Sequence, residues 1–152
     1  MIIVNNKKKV IRLMSFLFAF ILLIFCTILI GFVLKDLIKY YLRWPLLLAM
    51  MSLIIVIFNW IRGLKVFQFE NIGSTFTIKY YHPLNRGIIF PYVEFPIKNV
   101  TRFKIEKKIL KPDLMKFDIL VNEKNKIVLF KFSVLSLNTI AYIEIEKSLK
   151  KL

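Results

Sequence analysis

Two uninterrupted apolar runs constrain this chain more than anything else in it. Residues 13–34 are 22 positions without one charge, and residues 44–61 are another 18. Roughly 20 helical residues cross a hydrocarbon core about 30 Å thick, so each run suits a membrane span. Composition points the same way. Of the residues, 58% are hydrophobic and the mean hydropathy is +0.65, whereas a soluble domain is about 45–50% apolar. Only 4 Gly and 5 Pro occur among 152 residues, which excludes collagen-like and Gly/Pro-rich disordered chains.

The first run follows Asn5-Asn6-Lys7-Lys8-Lys9 and Arg12, which superficially matches the basic and apolar regions of a signal peptide. It exceeds the roughly 7–15 apolar residues usual there and ends without a small-x-small cleavage site, so it is expected to stay as an anchor. The second run has Trp44 and Trp60 near its ends, as interfacial anchoring favours, and Pro45 suits a first helical turn. Residues 35–43 between the runs are long enough only to turn the chain back, which predicts an antiparallel hairpin. Lys7, Lys8, Lys9, Arg12, Arg62 and Lys65 flank its outer ends, against Lys35, Lys39 and Arg43 in the connection. The positive-inside rule then puts both termini in the cytoplasm, in a two-pass protein of a bacterial inner membrane.

Beyond residue 61 short alternating segments replace the long runs. Strands are predicted at 65–70, 75–81, 92–97, 101–109, 116–121 and 126–132, with turn residues at Asn71-Ile72-Gly73-Ser74, at 82–87 and at Asn122-Glu123-Lys124-Asn125. Pro96 has no N–H to donate and belongs at an edge, a bulge or a strand end. Along 101–109, Phe103, Ile105 and Ile109 alternate with Arg102, Lys104, Glu106 and Lys108, so one face is core and the other wet. Ser136 is placed to cap a final helix in which Leu137, Ala141, Ile145, Leu149 and Leu152 keep a helical spacing. The expected division is 1–61, a basic flank and transmembrane hairpin, and 62–152, a small α+β domain.

Catalysis needs a nucleophile with its base, paired carboxylates or a metal cluster. The sequence assembles none of these. Cys26 lies within the first apolar run, and His82 is the sole histidine, so no zinc site is expected. Asp113 and Asp118 stand five apart on a predicted strand start and diverge, and four scattered glycines make no phosphate loop. No metal, cofactor or catalytic residue is expected.

Charge is the stronger signal. The chain carries a formal +15, and residues 62–152 hold 17 basic and 8 acidic residues. A dense part of it is Lys98, Arg102, Lys104, Lys107, Lys108 and Lys111, broken only by Glu106. Three readings compete for it: anionic lipid headgroups, a phosphorylated or nucleotide ligand, and a solvated face that only keeps the surface soluble. Near an anionic leaflet each such side chain contributes about 1 kcal/mol of attraction. Nucleic acid is matched by charge alone, and membrane anchoring argues against it.

A two-helix hairpin followed by consecutive strands and one C-terminal amphipathic helix resembles the bacterial membrane-anchored pleckstrin-homology-like (PH-like) proteins. The resemblance is carried by Glu94-Phe95-Pro96-Ile97-Lys98-Asn99-Val100 leading into Arg102-Phe103-Lys104-Ile105, and by Phe132-Ser133-Val134-Leu135-Ser136-Leu137 leading into the last helix. It implies a curved antiparallel sheet closed at one end by the helix, serving as a platform for binding or assembly. That fold has seven strands against the six read here, which leaves either a missed strand near 88–91 or a different small barrel. In architecture alone the chain also resembles the membrane effectors of cyclic-oligonucleotide anti-phage defence. That likeness implies a barrel that binds a nucleotide second messenger and helices that self-assemble to damage the inner membrane. The reading adopted is a non-catalytic binding module whose partners are anionic lipid and another membrane protein or a second copy.

Overall fold

The computed structural model describes residues 2–33, 40–85, 87–107, 112–121, 126–135 and 137–150, with backbone alone at 40–42 and 150. Its elements run β1 (Ile2–Asn5), α1 (Lys7–Val33), α2 (Tyr40–Gly63), β2 (Val66–Asn71), β3 (Thr75–Tyr81) and β4 (Val93–Pro96). A 3₁₀ turn (Ile97–Asn99) follows, then β5 (Val100–Glu106), β6 (Asp113–Val121), β7 (Lys126–Val134) and α3 (Thr139–Lys150). The chain divides into two compact units, one of Met1–Val10 with Lys65–Leu152 and one of Ile11–Leu64. The first ten residues therefore join the β unit, which a division after residue 61 does not foresee.

In the helical unit, Leu17 and Ile24 of α1 are buried with Ile57 and Ile61 of α2, and Ile21, Ile28, Met50 and Ile54 pack around them. Spacings of three and four residues put these side chains on one stripe of each helix, which is how two helices share a seam. Thr27 Oγ1 reaches Met50 Sδ at 3.9 Å across that seam. Both helices are long and apolar enough to cross a membrane, and only 11% of the most apolar window of each is buried. Phe16, Leu22, Phe25, Phe32, Val56 and Phe58 are all more than half exposed. The helical unit covers only its seam, and the remaining apolar surface is what a bilayer would accept.

The β unit holds two antiparallel sheets, one in the order β1-β2-β3-β4 and one in the order β5-β6-β7. They do not close into a barrel. Among the described residues a seventh strand, β1, lies before the helices, and residues 88–91 are irregular, so no strand was missed there. Ile2, Ile3 and Val4 are β-branched, and β1 pairs with β2 from Ile2↔Asn71 to Asn5↔Gln68. The pleat buries Val4 and leaves Ile3 exposed. Adjacent strands of one sheet are thus separated in sequence by the whole helical hairpin.

Phenylalanines fill the space between the sheets. Phe67, Phe69, Phe76, Phe117 and Phe132 are fully buried. Phe67 and Phe132 bring the two sheets to a ring separation of 5.9 Å, and Phe76 and Phe117 to 6.2 Å. Tilted and offset pairs at such distances stabilise a core beyond simple area burial. Ala141, Tyr142 and Ile145 of α3 complete it, with Leu137 and Leu149 packed alongside, while Glu144 and Lys147 face outward. The helix is capped by Asn138, whose Oδ1 accepts the Ala141 N–H at 2.9 Å. Ser136, expected to be the cap, lies outside the described residues, as do Ile109, Leu152, the 35–39 segment and the 122–125 connection. Pro96 ends β4, as its missing N–H requires.

Candidate functional site

The outer face of the β5-β6-β7 sheet gathers four basic and two acidic side chains. Alternation sends Met115, Phe117 and Ile119 of β6 into the core and Lys116 and Asp118 outward. The register then builds rows across the sheet. Lys104 opposes Lys116, which opposes Lys131; Arg102 opposes Asp118, which opposes Leu129. An irregularity between Val100 and Arg102 shifts the start of β5, after which Arg102, Lys104 and Glu106 share this face.

Glu106 organises the row. Its carboxylate accepts a hydrogen bond from Lys116 Nζ at 2.6 Å, and Lys104 Nζ stands 3.6 Å away. The Lys116 hydrogen bond, reinforced by the charges of Lys116 and Lys104, holds the Glu106 carboxyl below the usual carboxylate range. Arg102, Lys104, Lys116 and Lys131 thus share the face with two carboxylates, Glu106 and Asp118. Beside them Ile127 and Leu129 are 58% and 47% exposed. A surface with a net positive charge and exposed aliphatic side chains suits a partner that is anionic and apolar together.

Of the six basic positions singled out in the sequence, four are among the described residues, and of these four the fold brings Arg102 and Lys104 onto this face. Lys98 is exposed on the 3₁₀ turn. Lys107 follows β5 on the opposite parity, and its Nζ lies 6.0 Å from the ring centroid of Tyr142 on α3. Lys108 and Lys111 lie outside the described residues. The linear run is therefore divided by the pleat. Lys116 and Lys131 take the vacated places, and hairpin arithmetic was the available signal: a connection at 122–125 that pairs Val121 with Lys126 also pairs 116 with 131.

Other polar groups hold the fold. Tyr142 donates its hydroxyl to Asp113 Oδ2 at 2.6 Å; burial pushes this phenol up, and the hydrogen bond and charge of Asp113 add to the rise. On the other sheet Glu70 accepts from Lys79 at 3.1 Å and from Gln68 and Thr77. Burial opposes its charge, but those hydrogen bonds and the Lys79 ammonium together hold the carboxyl below its usual range. His82 Nδ1 accepts the Leu84 N–H at 3.2 Å, a turn contact. Asn6, 2% exposed, was not singled out in the sequence, yet it ties three segments together. Its Oδ1 accepts the Phe67 N–H at 2.8 Å, its Nδ2 donates to the Leu135 carbonyl at 2.9 Å, and its own carbonyl accepts the Val10 N–H at 3.0 Å to open α1. No protein-family model, curated protein or solved structure matches this chain.

Proposed function

We propose that this chain is a membrane-anchored binding and assembly module, not an enzyme, that presents a basic PH-like β domain at the cytoplasmic face of a bacterial inner membrane. The observation that carries the reading is the insertion of an apolar helical hairpin between β1 and β2, adjacent strands of one sheet. A domain attached by two short connections is held at the bilayer far more firmly than one on a single flexible linker. The four- and three-stranded antiparallel sheets followed by α3 support the PH-like assignment. The cationic face bearing Arg102, Lys104, Lys116 and Lys131 supports anionic lipid headgroups as one partner. Its exposed Ile127 and Leu129 support a second membrane protein or a second copy as the other.

The test uses the full chain in nanodiscs. Phosphatidylglycerol in place of phosphatidylcholine should raise the melting temperature, and the Arg102→Glu, Lys104→Glu double variant should lose most of that gain. Ligand at about 100 times its Kd adds about 2.7 kcal/mol, which moves the midpoint of a domain this small by roughly 10 °C or more. A shift of that size with a cyclic di- or trinucleotide would replace this reading with a nucleotide-sensing effector.

A further inference from the structure

We infer that Leu84, Ile88, Phe90 and Tyr92, between β3 and β4, form a second, peripheral membrane contact whose apolar side chains enter the lipid interface. In that segment Leu84 is 52% exposed, Ile88 86%, Phe90 78% and Tyr92 64%. Four large apolar or aromatic side chains exposed within nine residues are unusual on a domain whose other phenylalanines are buried or partly buried. The segment is nevertheless anchored: the Tyr92 N–H donates to the Ile78 carbonyl at 2.8 Å, and the Tyr92 ring lies 5.8 Å from that of Phe132. Gly87 at φ 109° makes a bend that a side chain would strain.

Chain connectivity says what covers these side chains. Val66, which opens β2, is three residues after Gly63, the end of α2; Asn5, which closes β1, is two residues before Lys7, the start of α1. A chain extends at most about 3.6 Å per residue, so this end of the sheet is tethered within roughly 11 Å of both helix ends. β3 runs back toward the same end, since Tyr81 pairs with Val66. The β3–β4 segment therefore leaves the sheet where the chain enters and leaves the helices. The sequence there also carries Lys7, Lys8, Lys9, Trp60, Arg62 and Lys65, the aromatic and basic residues that mark an anionic interface. Exposed aliphatic and aromatic side chains next to such a collar match a lipid surface, and the inference rests on the two helices spanning the bilayer.

The experiment uses the full chain in phosphatidylcholine–phosphatidylglycerol vesicles containing nitroxide-labelled lipids, with an environment-sensitive fluorophore on one cysteine at a time. Native Cys26, exposed on α1, reports on the span; Ile88→Cys and Phe90→Cys, each with Cys26→Ser, report on the segment. Ser74→Cys in the same background marks the opposite end of the sheet. The labels at 88 and 90 should shift to the blue and be quenched by shallow nitroxides, at a depth of about 5–10 Å into the headgroup and acyl boundary. The label at 74 should stay aqueous and the one at Cys26 should answer to deep nitroxides. Labels at 88 and 90 that behave like the one at 74, with Cys26 quenched, would overturn the inference and leave the spans standing. Labels shielded from both nitroxide lipid and aqueous iodide would also overturn it, in favour of a protein covering. An unquenched Cys26 would overturn both readings.

Discussion

Asn6 shows how one side chain joins elements that are far apart in sequence. Its partners Phe67 and Leu135 lie 61 and 129 residues away, and the same residue sits between β1 and α1 and accepts the first helical N–H, that of Val10. Replacing it with alanine strands the buried Phe67 N–H, a loss of about 1–3 kcal/mol, to be read as a lower denaturant midpoint of the full chain. Glu70 and Glu106 set the acid limit. Both carboxyls are held below their ordinary value of 4.5, so the folded state favours their charged forms. Their contribution is therefore fully present above 4.5 and is lost as pH falls through the lower folded values. Melting temperature should drop across that acid range, and Glu70→Gln should flatten the drop.

At the scale of elements, the decisive piece is β1, four residues long. Val4 faces the core at 4% exposure and Ile3 faces out at 49%. Val4→Asp places an uncompensated charge inside and should cost about 3–5 kcal/mol, whereas Ile3→Thr, on the outer face opposite Glu70, should stay within about 0.5 kcal/mol. Equal effects, measured by chemical denaturation, would mean that the strand is not pleated into the sheet. Such a strand is hard to read from sequence because its partner lies beyond α1 and α2, and the lysines after it read as a membrane flank. β3 was legible, with turn residues before and after an aromatic, β-branched run, and the burial of Ala141 and Ile145 followed the helical spacing of α3. The density of basic residues was legible, but not which of them share a face. A run of lysines gives charge density, while the pleat and the register decide which of them share a face. So Lys107 went to Tyr142, and Lys116 and Lys131 joined Lys104.

For the whole molecule, the order β1-α1-α2-β2 makes a statement about topology that does not depend on counting charges. Asn5 and Val66 end up at the same end of one sheet, so the proposed membrane hairpin between them would leave and return on one side of the bilayer. An impermeant maleimide tests this directly on inverted and right-side-out vesicles, using Ile3→Cys, Ser74→Cys and Lys35→Cys, each with Cys26→Ser. The account predicts that positions 3 and 74 are labelled together from the cytoplasmic face and position 35 only from the other. Positions 3 and 74 labelled from opposite faces, or all three from one face, would contradict it.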